Sequence, residues 1–150
     1  MRSENKRVRG KQDDAIKDAL QDYCEEVIKR FEPLCIILYG SRAKGTFTNK
    51  SDVDIIVISN AFDQDFLSRI MSLIDANTTK FPIEPLGYTE DEFENMLESC
   101  RLTALDAVKE GIALFGEDYF NSLKNKLSEL EKKGIYKGKI SWHVPAEAVE

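Results

Sequence analysis

Asp52 and Asp54 stand two residues apart at the head of an apolar, β-branched run, Val53 and Ile55-Ile56-Val57-Ile58, that reads as a strand. Alternate residues of a strand project from the same face, so both carboxylates converge on one point. Two anions held that close in a partly buried cleft repel each other and drive their pKa values apart. A hard divalent cation relieves the repulsion, and oxygen ligands suit Mg²⁺. Because Mg²⁺ commonly binds through one or two carboxylates together with substrate phosphates, a nucleotide is the expected third party. Just ahead, the apolar run Leu34 to Tyr39 ends at Gly40-Ser41. A Gly-Ser turn there exposes backbone N–H groups that a phosphate can approach.

An Asp-x-Asp pair is common by chance and can simply solvate a strand end. What raises this one is the order: strand, Gly-Ser turn, polar loop, then the two acids opening a second strand. A calcium-binding EF-hand needs further acids and a glycine inside its loop, where Ile55 to Ile58 follow here. A P-loop needs Lys and Ser/Thr directly after its second glycine, but Thr46-Phe47 follow Gly45. His143, the sole histidine, lies beside Trp142 far from Ser41, with no fold argument joining them into a triad.

Gly40-Ser41, the segment Arg42 to Ser51 and then Asp52-Val53-Asp54 resemble the signature of the DNA-polymerase-β-like nucleotidyltransferase superfamily. Tyr39 to Gly45 and Ser51 to Ile55 are similar to its small prokaryotic branch, the minimal nucleotidyltransferases. So are Tyr88-Thr89-Glu90-Asp91-Glu92-Phe93 and Lys109 to Gly116, which extends the likeness from the first helix to Gly116. The resemblance implies a nucleotidyltransferase fold in which Gly40 and Ser41 hold the triphosphate of a donor, ATP or another nucleoside triphosphate. Asp52 and Asp54 would bind two Mg²⁺ ions. A third acid, matched here by Glu84, would join them as metal ligand and help activate the attacking hydroxyl. It is Glu where the family more often has Asp, and Pro82 and Pro85 flank it. Arg42 and Lys44 leave the same turn and are either phosphate contacts or solvated loop charges.

By the same resemblance the reaction is transfer of a nucleoside monophosphate, AMP from ATP, to a hydroxyl acceptor. Members of that branch often pair with a small helical protein of the HEPN (higher eukaryotes and prokaryotes nucleotide-binding) class in toxin–antitoxin modules. The acceptor can be that partner. The alternative from another class is a binding-only antitoxin or scaffold that neutralises its partner by covering it. A small-molecule nucleotidyltransferase of the antibiotic-modifying kind usually carries an extra helical domain.

The elements that must position these residues follow from periodicity. Ile16, Ala19, Leu20, Tyr23, Val27, Ile28 and Phe31 recur at helical steps, and Pro33 breaks the helix. Apolar residues return at that spacing from Phe62 to about Ala76. Phe81 to Tyr88 reads as a strand, and its prolines place it at a sheet edge. Thr89 and Glu92 form a capping box that opens a helix to about Ser99. A helix over Leu102 to Lys109, a short strand Ile112 to Phe115 and a helix Tyr119 to Lys132 follow. Leu102, Leu105, Val108, Ile112 and Leu114 read as core. The expected architecture is α/β (α+β), a short mixed sheet flanked by helices in one domain. Its core spans about 11–132, and 134–150 is a loosely attached tail in which Trp142 packs against the body.

The composition agrees with a globular domain. The chain has 150 residues, 42% hydrophobic and 32% charged, which excludes wholesale disorder. A net charge of −6 gives no sign of a general nucleic-acid surface. The basic stretch Arg2, Lys6, Arg7, Arg9 and Lys11 reads as a solvated, frayed terminus. No apolar run reaches membrane-spanning length, and no secretory pattern follows the basic start. Three cysteines without pair spacing suit a reducing cytoplasm, with Cys24 and Cys35 as small core residues.

Overall fold

Strand pairing, rather than local propensity, brings the distant acids together. The computed structural model describes residues 2–40, 43, 52–63, 65–138 and 141–145. Helix α1 (Arg2–Phe31) leads into β1 (Cys35–Tyr39), and β2 (Val53–Ile58) returns antiparallel to it, with Leu38 opposite Ile55. Helix α2 (Phe66–Asp75) then crosses over to β3 (Ile83–Tyr88), which lies parallel to β2. A parallel neighbour requires such a crossover connection. Helices α3 (Glu90–Glu98) and α4 (Leu102–Glu110) precede β4 (Ile112–Phe115), which pairs antiparallel with the other side of β1. Helix α5 (Glu117–Lys132) is followed by a small hairpin, β5 (Tyr136–Lys137) with β6 (Trp142–His143). The main sheet therefore has the mixed order β3-β2-β1-β4.

Both faces of the two central strands are buried, so they read as continuous apolar runs. Ile36, Leu38, Val53, Ile55 and Val57 pack with Tyr23, Cys24 and Val27 of α1 and with Leu73 of α2. Cys35, Ile37, Ile56 and Ile58 face the other way, against Phe93, Leu97, Leu105, Val108, Leu123 and Leu127 of α3, α4 and α5. The α/β architecture expected from the sequence, a short mixed sheet flanked by helices, is the one observed.

Local signals located most elements. The Thr89 hydroxyl accepts from Glu92 N–H while the Glu92 carboxylate accepts from Thr89 N–H, completing the capping box. β3 lies at the sheet edge, where Pro85 costs no ladder bond. Cys24 and Cys35 are buried.

Four expectations change. Helix α1 begins at Arg2 rather than near Asp13. Helix α2 begins at Phe66, because Asp65 caps it by accepting from Ser68 N–H at 2.8 Å. Leu102 and Ile112 are not core but 61% and 48% exposed: Leu102 is the first residue of α4, ahead of its buried Ala104 and Leu105, and Ile112 is the first residue of β4, an edge strand of the sheet. The 134–150 segment is not a loose tail throughout. Trp142 Nε1 donates to Asp106 Oδ1 at 2.8 Å, and Lys137 bridges Asp106 and Glu110, so the hairpin is fastened to α4.

Candidate active site

Three strands end or begin on one side of the sheet, and their register builds the site. Tyr39 pairs with Asp54 across β1 and β2. Asp54 pairs with Glu84 across β2 and β3. Residues directly opposite on neighbouring strands share a face, so Tyr39, Asp54 and Glu84 form a row across three strands. Asp52, two residues before Asp54, belongs to the same face. The register is held just beside the row, where Val53 N–H donates to the Pro82 carbonyl at 2.9 Å.

The approach to β3 is tied by one side chain. Asn77 Nδ2 donates to the Phe81 carbonyl at 3.0 Å, and its Oδ1 accepts from the Thr79 N–H and hydroxyl at 2.9 and 2.6 Å. This Asx-type turn fixes the segment that leads to Glu84.

Gly40 closes the other side. Its φ is +75°, and a β-carbon there would lie 2.5 Å from Oδ2 of Asp54. The missing side chain lets the Asp54 carboxylate rest against the turn.

The carboxylates are electrostatically strained. Glu84 is held above the usual carboxylate range, chiefly by its hydrogen bond to Asp52 and that residue's negative charge, with Asp54 adding to both. Asp54 is raised by burial and by the charge of Asp52, against a hydrogen bond from Glu84 that lowers it. Asp54 and Glu84 therefore hold their protons more readily than ordinary carboxyls do. Among the described residues, no group of three or more His, Cys, Asp or Glu side chains is arranged to hold a metal ion as it stands. Glu84 instead spans its neighbours through hydrogen bonds. The chemistry of the donor set nevertheless fits a hard divalent cation: oxygen-only ligands on one face, whose mutual repulsion a cation would relieve.

Of the residues singled out in the sequence, the structure brings together Gly40, Asp52, Asp54 and Glu84. Ser41, Arg42 and Lys44 lie outside the described residues. His143 stacks on Tyr136 in the hairpin, with ring centroids 4.9 Å apart. Tyr39 escaped the sequence reading. Burial, then the charge of Asp54, pushes its phenol up to about 12, so it stays protonated beside the carboxylates. The signal was available: Tyr39 directly precedes Gly40 at the end of a strand that runs to the same turn.

A family model described as a nucleotidyltransferase domain matches residues 20–116. No curated protein matches the chain. Among solved structures, a proposed nucleotidyltransferase from Sulfolobus solfataricus is similar at 19% identity, covering 67% of this chain and 86% of that one, with a TM-score of 0.45. No helix among the described residues is long and apolar enough to cross a membrane.

Proposed function

The chain belongs to the nucleotidyltransferase domain family, and from that membership we propose that it transfers AMP from ATP to a hydroxyl on a partner protein, with Mg²⁺ as cofactor. The observation that carries this reading is the register of Asp54 against Glu84, which sets a third carboxylate beside the Asp52–Asp54 pair.

In this reading the acceptor oxygen bonds to the α-phosphorus as the bond from that phosphorus to its bridging oxygen breaks. Pyrophosphate leaves with the electron pair. Asp52, Asp54 and Glu84 would hold divalent cations, which when bound supply charge neutralisation at the phosphoryl oxygens and at the attacking and leaving oxygens. Glu84 takes the proton of the attacking hydroxyl on its carboxylate. Gly40 keeps the turn open for the triphosphate, and Ser41, Arg42 and Lys44 supply contacts to it. No side chain acts as nucleophile, so the rate rests on positioning and electrostatics.

A small helical partner, of the kind found in toxin–antitoxin modules, is the proposed acceptor. The test is incubation with α-³²P-labelled ATP, GTP, CTP or UTP and Mg²⁺, with and without the product of the neighbouring gene. Label on that product from ATP alone, lost in the Asp52→Asn/Asp54→Asn variant, is the expected result. A stable complex with no label from any nucleotide would replace this reading with a binding-only one.

A further inference from the structure

Helix α2 faces the wrong way for a helix that only covers its own sheet. Its inward residues include Arg69, 8% exposed, and Leu73, fully buried. Its outward residues are Leu67, Met71 and Ile74, exposed by 66%, 63% and 52%. These three recur at i, i+4 and i+7 and form a single stripe along the helix. The orientation is fixed, not incidental. Arg69 Nη1 donates to Glu92 Oε1 at 2.6 Å, and its guanidinium lies 5.5 Å over the Phe62 ring. The Tyr23 hydroxyl donates to the Leu73 carbonyl at 2.8 Å and ties the last turn to α1.

Beside the stripe runs a groove of about 410 Å³ between the end of α1 and α2, lined by Arg30, Phe31, Met71, Ser72 and Asp75. Its rim is acidic. Asp63 and Asp65 are exposed at one end of α2, and the Asp75 side chain is 80% exposed at the other. Arg30 is bonded to Glu26 and Asp75.

We infer that the stripe Leu67-Met71-Ile74 and its groove are the docking surface for another protein's amphipathic helix, one whose apolar stripe is flanked by Lys or Arg. Charge decides between this occupant and a second copy. Two α2 stripes laid antiparallel about Met71 bring Asp65 of one copy to the Asp75 end of the other. Laid parallel, they set Asp65 against Asp65. Like charges at a contact are penalised, whereas a basic-flanked helix meets acids at both ends. A foreign helix can also occupy the groove, in the helix-in-groove manner. Because β2-α2-β3 is a parallel crossover, the Ile74 end of the stripe lies toward the sheet end that carries Asp54 and Glu84. The surface stands whether or not the chain transfers nucleotides.

The test uses the ¹⁵N-labelled full chain, titrated with two model amphipathic peptides, one built of Leu and Lys and the other of Leu and Glu. Amide shifts confined to α2 and to Arg30 and Phe31 are expected with the Leu–Lys peptide. Binding should weaken about tenfold in Met71→Lys and persist in Met71→Leu. Three results would overturn the inference: no α2-centred shifts at millimolar Leu–Lys peptide, equal binding of the Leu–Glu peptide, or sedimentation showing a dimer that Met71→Lys dissociates.

Discussion

Oδ2 of Asp54 lies 2.5 Å from the point where Gly40 would carry a β-carbon. The need for glycine at position 40 is therefore chemical as well as conformational: a side chain there must displace a carboxylate of the site. Gly40→Ala also places a non-glycine residue at φ +75°, which costs about 1–2 kcal/mol of stability. Loss of transfer should exceed the loss of folding. We expect a fall of about 100-fold or more in rate, as for an ångström-scale misplacement of a catalytic group. Urea unfolding and labelled-nucleotide transfer, measured on the same preparation, separate the two effects.

Glu84 sits on an edge strand, exposed and joined to the site by its hydrogen bonds with Asp52 and Asp54. Glu84→Gln should leave the fold intact, because no core contact is lost. The transfer rate should fall by about 10²–10⁴-fold, the range for a proton-transferring group. Glu84→Asp should recover part of that loss. Equal activity in wild type and Glu84→Gln would remove Glu84 from the chemistry.

Asp54 provides the pH dependence. Its pKa is raised in the fold by burial and the charge of Asp52. A raised carboxyl favours the folded state below its unfolded value, and that contribution is lost as pH rises through the folded value. Ionised Asp54 therefore works against the fold at neutral pH in the absence of cations. Asp54→Asn should melt higher than wild type at about pH 7, with the difference vanishing near about pH 4. Added Mg²⁺ should raise the wild-type melting temperature and leave the variant unchanged, since only a state that binds the cation is stabilised by it.

Arg69 and Glu92 join α2 to α3 through a partly buried pair, with side chains 10% and 46% exposed. Arg69→Ala should destabilise by about 1–3 kcal/mol, the lower end of the cost for breaking a buried pair because Glu92 remains half in water. Arg69→Met, which keeps the packing on Phe62, should cost less. Chemical denaturation of both variants is the measurement.

Much of this was legible because it is local. Thr89 and Glu92 are three residues apart, and their capping box is a property of one turn. Pro82 and Pro85 placed β3 at an edge because proline has no N–H to give. The row Tyr39-Asp54-Glu84 was less so, since pairing register couples residues whose separation in sequence carries no signal. Resemblance assigned a role to Glu84 and none to Tyr39, although Tyr39 opens the matching segment. The direction of α2 was also hidden. Leu67, Met71 and Ile74 announce an apolar face by their spacing, but spacing cannot say whether that face meets the sheet or the solvent. Arg69, Phe62 and Glu92 decide it through contacts across two helices. Leu102 and Ile112 fail for the same reason: apolarity marks a candidate for burial, and the start of a helix and the start of an edge strand lie where burial stops.

Asp52, Asp54 and Glu84 are proposed to act together as one divalent-cation site. Electron paramagnetic resonance titration with Mn²⁺, which needs no knowledge of the acceptor, tests it most directly. We predict saturable binding to the wild type, weakened in Glu84→Gln, abolished in Asp52→Asn/Asp54→Asn and competed by Mg²⁺. Equal Mn²⁺ binding in all three proteins would contradict the account.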